Sequence, residues 1–295
     1  MAIYNLGSIN ADHFYDVPHL PAAGETLAAV GHRRGLGGKG ANQSIAAAHG
    51  GATVHHIGAV GEDGAWAIAE MRAHGVGVEH IVQLDIPTGH AIINVDRTGE
   101  NAIVIFSSAN VAQKKSGIAA ALDQASARDF LLLQNETNHV RFAAEYAKSK
   151  GLHVVYSAAP FDSNRVKEVL SYVDTLVLNE VEAQHLAEAL GVTPERLPVA
   201  GVLVTRGAKG ASYQASGHKT EVPAFAVKAV DTTGAGDTYL GFFVAGLDAG
   251  LDIKGAMTFA AAGSALQVTR KGTADAIPSL TEVRDFLEEN HASQG

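Results

Sequence analysis

The stretch Asp231-Thr232-Thr233-Gly234-Ala235-Gly236-Asp237-Thr238 runs straight into the apolar Tyr239-Leu240-Gly241-Phe242-Phe243-Val244. Two glycines around one alanine allow backbone turns that a Cβ would forbid, and let the chain approach a ligand closely. The apolar run that follows predicts a helix whose first amides point back at that turn. Free N–H groups and the positive end of the helix dipole favour an anion there, typically a phosphate. A carboxylate beside such donors suits proton abstraction from a hydroxyl about to attack phosphorus. Asp237 also suits a plain helix cap, although capping does not explain the flanking glycines.

Outward from this stretch the chain alternates short β-rich runs with helical ones. Ile3–Leu6, Thr53–Ile57, Phe130–Leu133, His153–Tyr156, Thr175–Leu178 and Val202–Thr205 read as buried strands. Gly40–His49, Ala65–His74, Thr137–Lys150 and Asn179–Leu190 read as helices. That rhythm predicts an α/β fold, a mainly parallel sheet with helices on both faces. Asn179 with Glu182, and Ser279 with Glu282, have capping-box spacing and mark helix starts. His90 to Phe106 breaks the rhythm and reads as a β-hairpin turning at Arg97–Glu100. Together with the turn-rich, then alternating, segment 11–34 it predicts a small sheet at the end where strand C-termini place ligands. Such a sheet would be a lid contributed by about 11–34 and 88–107 to a single catalytic domain spanning 1–295. No internal repeat or linker divides the chain.

Composition narrows the function. The chain has 295 residues, 46% apolar and 18% charged, which fits one large ordered core. A formal charge of −9 argues against general affinity for nucleic acid or anionic lipid. With no cysteine there is no disulfide, thiolate metal site or cysteine nucleophile, which suits a reducing cytosol. Met1–Asn5 carries neither a basic leader nor an apolar run, and no apolar stretch approaches the roughly 20 residues of a membrane helix, so a cytoplasmic protein is expected. The 14 histidines show no His-Glu-x-x-His spacing, so a histidine metal site is not expected.

A second glycine cluster, Gly35-Leu36-Gly37-Gly38-Lys39-Gly40-Ala41-Asn42-Gln43, contains a formal G-x-G-x-x-G. It lies too far from the first predicted strand for a dinucleotide fingerprint, which argues against an NAD-linked oxidoreductase. Lys39 precedes Gly40 rather than Ser or Thr, so it is not a Walker A loop, and the protein-kinase Asp-Phe-Gly and His-Arg-Asp signatures are missing. What remains is a backbone-exposing turn at a helix start, suited to a polyhydroxylated ligand or phosphate, or to tight packing alone.

The two clusters in this order resemble the signatures of the ribokinase-like (PfkB) family of sugar and nucleoside kinases. Gly7-Ser8-Ile9-Asn10-Ala11-Asp12 and Val268-Thr269-Arg270-Lys271-Gly272 extend the likeness over essentially the whole chain, and these stretches look most like the family's ribokinases. The resemblance implies a three-layer α/β/α fold with a β lid, and transfer of a phosphoryl group from ATP to a sugar's primary hydroxyl, with D-ribose the first candidate. Another pentose, a ketohexose or a nucleoside is the alternative acceptor, and a catalytically weak sugar-binding regulator the alternative role. By the same resemblance Asp237 is the base and the Gly234–Asp237 loop the anion hole, with the amides of Ala235, Gly236 and Asp237 stabilising the transferring phosphoryl group. Asn10, Asp12, Gly38, Lys39, Asn42 and Glu136 would hold the sugar. Asn10 and Asp12 equally suit turns, and Glu136 a first-turn helix acid. Asn179, Glu182 and the run Thr205-Arg206-Gly207-Ala208-Lys209-Gly210 would serve the nucleotide and its Mg²⁺, together with Gly236. Asp231, Thr233, Gln267, Arg270, Gly272 and Ala276 match a monovalent-cation site, typically for K⁺. Phe259-Ala260-Ala261-Ala262 departs from the family by lacking a polar nucleotide contact, and Ala276 by lacking a hydroxyl. The family's lids commonly pair, so a homodimer through the lid is expected.

Overall fold

The apolar runs became the centre of a large sheet. The computed structural model describes residues 1–292. In chain order its first half holds β1 (Ala2–Leu6), β2 (Asn10–Asp16), β3 (Gly31–Gly37), α1 (Lys39–His49), β4 (Thr53–Gly61), α2 (Ala65–Ala73), β5 (Gly77–Leu84), β6 (Gly89–Val95) and β7 (Asn101–Phe106). Then come α3 (Lys115–Leu122), β8 (Phe130–Leu133), α4 (Val140–Ser149), β9 (His153–Ser157), α5 (Ser163–Val169), β10 (Thr175–Asn179), α6 (Glu180–Leu190) and β11 (Gly201–Thr205). The last part is β12 (Ala211–Ala215), β13 (His218–Val222), α7 (Ala235–Asp248), α8 (Ile253–Gln267) and α9 (Leu280–Ala292).

The large sheet has the order β13-β12-β11-β10-β9-β8-β1-β4-β5. From β5 to β11 every pairing is parallel, while β12 and β13 add antiparallel to the edge. Those two strands and β5 were missed in the sequence. Ala-Ser-Tyr-Gln-Ala and His-Lys-Thr-Glu-Val are half-exposed and polar, so they lack the apolar density of the central strands. Alternate residues of the central strands feed two cores. Ile3, Leu132, Val155, Val177 and Leu203 pack with Ile45, Phe242, Phe243 and Met257 on one face. Tyr4, Leu131, Val154, Tyr156 and Leu176 pack with Ile118, Ala144, Val166 and Leu186 on the other. The result is the three-layer arrangement that the alternation predicted.

The second sheet has the order β3-β2-β6-β7. Its pairings are antiparallel except β2 with β6, which is parallel and joins Asn10 to Gly89 and Asp12 to Ala91. The hairpin turns where expected, with Asp96 Oδ1 accepting from the amides of Thr98 at 2.8 Å and Glu100 at 3.1 Å. Asn10 and Asp12 are therefore strand residues with buried side chains, not turn formers.

One close contact fixes the end of the fold that carries Asp237. A Cβ on Gly241 would stand 2.4 Å from the Ala46 Cβ, 2.6 Å from the Gln43 carbonyl oxygen and 2.8 Å from the Ala47 amide. Such approaches are forbidden to any larger residue, so α7 lies on α1 backbone to backbone. Asp237 is one helical turn before Gly241, on the same face of α7, and so it meets α1 at Gln43.

Candidate active site

Gly234 starts α7 in the left-handed region, with φ of 77°, and no side chain caps the helix. The amide of Thr238 takes the Gly234 carbonyl and that of Ala235 takes Thr232 at 3.2 Å. Among the described residues the amides of Gly236 and Asp237 have no acceptor. Of the three amides expected to form the anion hole, two are thus free and the third closes the turn that aims them. Asp237 is half-buried beside them. Its Oδ1 accepts from Gln43 Nε2 at 2.8 Å, and its Oδ2 lies 3.5 Å from Asn42 Nδ2.

The start of α1 is arranged differently. Gly38, with φ of 92°, turns the chain, but the amides of Lys39 and Gly40 are spent on Glu136 Oε2 at 3.1 Å and Ser8 Oγ at 3.2 Å. Ser8 Oγ in turn donates to Glu136 Oε2. This end of α1 therefore locks Glu136 in place instead of offering a second anion hole. Asn10, Asp12, Gly38, Asn42 and Glu136 gather here, joining the lid strand β2 to α1 and the loop after β8. Asn10 Oδ1 accepts from Asn110 Nδ2 at 2.8 Å, which leaves the Asn10 amide nitrogen for a ligand. The buried Asn42 Oδ1 has no hydrogen-bond partner among the described residues. Burial, and then the charge of Glu136, push the Asp12 carboxyl up to about 7. Lys39 is held above the usual ammonium range, chiefly by the charge of Asp237 and further by Glu136, Glu182 and Asp12. One ammonium thus answers four carboxylates.

On the other side of the loop lies a cavity of about 260 Å³. Thr205, Gly207, Ala208 and Gly210 line it, as do Ala235 and Gly236. Four of the residues expected at the nucleotide therefore converge on the anion hole. Arg206 and Lys209 do not line it; they pair with Glu221 at 3.0 Å and Glu180 at 3.1 Å. Asn179 and Glu182 form a reciprocal capping box, each amide 2.8 Å from the other's side-chain oxygen.

Four of the six expected cation residues, Asp231, Thr233, Gln267 and Gly272, also meet. Asp231 accepts from the amides of Thr233 at 2.9 Å and Gly272 at 3.2 Å. The carbonyls of Thr233 and Gly272 point at one spot, marked by Gln267 Nε2 at 2.8 and 3.3 Å. The Arg270 guanidinium is held by Glu282 at 2.6 Å. Ala276 is buried beside the loop and offers no side-chain oxygen. Carbonyl and carboxylate oxygens suit a hard monovalent ion, but the Gln267 amide would have to turn aside or present its buried, unpartnered Oε1 instead.

The family model described as pfkB family carbohydrate kinase matches residues 3–280. The chain belongs to that family. It is 37% identical over 299 residues to a ribokinase of Haemophilus influenzae, covering 96% of this chain and 97% of that protein. A crystal structure of ribokinase from Thermotoga maritima superposes with a TM-score of 0.88 at 34% identity, covering 98% of this chain and 99% of that one. A structure of Arabidopsis thaliana ribokinase complexed with ribose and ATP gives a TM-score of 0.85 at 28% identity, over 98% and 99%.

For this pfkB kinase, several contributors to the site escaped the sequence reading. Phe225, Val227, Tyr239 and Val268 form apolar walls of the nucleotide-side cavity. They come from an irregular loop and two helices with no shared motif, and Ala261 lines the same wall where a polar contact was noted as missing. Ser8, Gln43 and Asn110 are buried polar residues that support the expected ones. One group with metal-ligating chemistry also converges outside the site among the described residues: Glu70, His74 and Asp275 bring ligand atoms within 4.8 Å. The His spacing rule missed it because Asp275 is remote in sequence. No helix of the described residues is long and apolar enough to cross a membrane.

The raised carboxyl of Asp12 has a stability consequence. Between its ordinary value of 3.8 and about 7, the unfolded chain has released this proton while the folded chain keeps it. Asp12 therefore takes stability away as pH rises through that window, and the loss is complete above about 7. Thermal midpoints from pH 5 to 8 are expected to fall more steeply in the wild type than in Asp12→Asn; parallel curves would show that Asp12 ionises normally.

Proposed function

We propose that the chain phosphorylates the primary hydroxyl of D-ribose with ATP, giving D-ribose 5-phosphate. The observation that carries this reading is the placement of Asp237 between two free helix-start amides and the polar cluster of Asn10, Asp12, Asn42 and Glu136. Short side chains that donate and accept suit a small polyol, and the cavity behind the loop suits a nucleotide. The ribokinases among its relatives support ribose as that polyol.

In this reading the sugar lies under the small sheet with its terminal hydroxyl toward Asp237 Oδ2. Asp237 takes the hydroxyl proton as the oxygen attacks the terminal phosphorus of ATP. The Gly236 and Asp237 amides, aimed by the Gly234 turn, receive the developing charge without reorganising. Lys39, close to Asp237, tempers the charge that the phosphoryl group meets. Thr205, Gly207, Ala208 and Gly210 pack against the nucleotide. Mg²⁺ bound with ATP would supply neutralisation of phosphate charge. Glu182 commits one oxygen to its cap, so the other would face metal-bound water, with Asn179 holding the motif in place. The oxygens of Asp231, Thr233, Gly272 and the neighbouring carbonyls would hold K⁺ beside the hole. The chain acts in the cytoplasm as one catalytic domain, 1–295, with the lid drawn from about 11–34 and 88–107. Every residue of β7 is exposed, including Ile103, Val104, Ile105 and Phe106, and an apolar edge strand invites a second copy.

ADP release from ATP and Mg²⁺, measured over D-ribose, 2-deoxyribose, fructose and adenosine, is expected to favour ribose. Asp237→Asn should lower turnover by roughly 100-fold to 10,000-fold with sugar binding kept; undiminished turnover would remove Asp237 from the role. Turnover should rise on replacing Na⁺ with K⁺, and a flat response would mean that the Gln267 amide serves in place of the ion. Sedimentation should give a dimer that Val104→Asp converts to monomer, whereas a monomeric wild type would refute the lid pairing.

A further inference from the structure

Asp237 is held from behind by a continuous set of buried side chains. Gln43 Nε2 donates to Asp237 Oδ1 at 2.8 Å. Gln43 Oε1 accepts from Gln134 Nε2 at 2.7 Å, and the same nitrogen donates to Asn5 Oδ1 at 2.9 Å. Asn5 Nδ2 donates to the Gly40 carbonyl and to Ser44 Oγ, both at 2.9 Å. Ser44 Oγ meets His56 Nδ1 at 2.8 Å, and His56 Nε2 meets the Gly7 carbonyl at 3.1 Å. Asn5, Gln134 and His56 are 0% exposed, and Gln43 is 1% exposed.

The direction of every bond in this set is forced. A carbonyl can only accept, so the Gly40 oxygen fixes which end of the Asn5 amide is nitrogen. Asn5 then presents Oδ1 to Gln134, Gln134 presents its nitrogen to Gln43, and Gln43 is left with its nitrogen toward Asp237. The Gly7 carbonyl fixes the other end, requiring the proton on His56 Nε2 and a donating Ser44 hydroxyl at Nδ1. Burial holds the His56 ring down to about 4, so it stays neutral and the pattern does not invert at ordinary pH.

We propose that Gln43, oriented by Gln134 and Asn5, is a positioning residue that occupies Asp237 Oδ1 and leaves Oδ2 as the oxygen that receives the sugar's proton. The inference rests on Asp237 being the base. The N–H on one oxygen orients the carboxylate plane, so the lone pair of the other oxygen is held toward the hydroxyl. Oδ2 has only the long 3.5 Å approach of Asn42 Nδ2, so its acceptor capacity is available.

The test replaces the donor while keeping side-chain length. Gln43→Met is expected to lower kcat by about 10-fold to 100-fold while the KM values for sugar and ATP stay within about 2-fold, because no ligand contact is removed. Gln134→Met should act in the same direction, since it frees the Gln43 amide to rotate. With Asn at 237 the Gln43→Met change should have almost no further effect on kcat, because the oxygen being aimed is gone. Thermal midpoints identify any variant that is partly unfolded at the assay temperature; for those, kcat is measured at a lower temperature where folding is complete. An undiminished kcat for Gln43→Met beside an inactive Asp237→Asn would overturn the positioning role and keep the base. An active Asp237→Asn would overturn the base itself.

Discussion

The contact of Gly241 with α1 is the constraint on which the rest of the site depends. The two glycine clusters are remote in sequence and belong to different helices. They become one site because α7 can lie on Gln43, Ala46 and Ala47 with no side chain between. One turn along, at the other end of the same stripe, a Cβ on Gly50 would stand 2.6 Å from the Ala245 Cβ, so the closeness persists over two turns. Packing of this density leaves the helices no freedom to slide, and it delivers Asp237 to Gln43 at hydrogen-bonding distance. Asp237 is thus positioned by the absence of atoms as much as by their presence.

The two helix starts at the site are treated in opposite ways. The first amides of α1 are consumed by Ser8 and Glu136, which fixes a carboxylate among the groups suited to sugar. Two of the first amides of α7 are left without acceptors. Elsewhere the starts of α5 and α8 are closed by the side chains of Asp162 and Asp252, whereas those of α2, α3 and α4 have no side-chain cap. An uncapped start costs stability that a cap would supply, commonly about 1 kcal/mol. At α7 an incoming anion can take the place of a cap.

The alternation of apolar runs and helical segments made the sheet legible, and the glycine clusters made its functional end legible, because both are local signals. Asp12 was legible as a polar residue of the site but not as a buried strand residue, since Asn-Ala-Asp reads as a turn until β6 supplies its parallel partner. The edge strands β12 and β13 were missed for want of apolar density. The apolar wall of Phe225, Val227 and Ala261 could not be read, because it exists only when a loop, α8 and the end of the sheet meet. The network through Asn5, Gln43, Gln134 and His56 joins four elements, and no spacing in the sequence announces it.

The neutral amide behind Asp237, the base we propose, suits the charges around it. Lys39 already answers the carboxylates of Asp237, Glu136, Glu182 and Asp12. A second cation in direct contact with Asp237 would stabilise its ionised form and lower its appetite for the sugar's proton. A purely apolar neighbour would leave the carboxylate free to rotate and raise the cost of keeping it charged. An amide whose orientation is dictated by a backbone carbonyl avoids both faults. It supplies one directed hydrogen bond and no net charge, so it sets the direction of the Asp237 carboxylate without adding a second cation beside it.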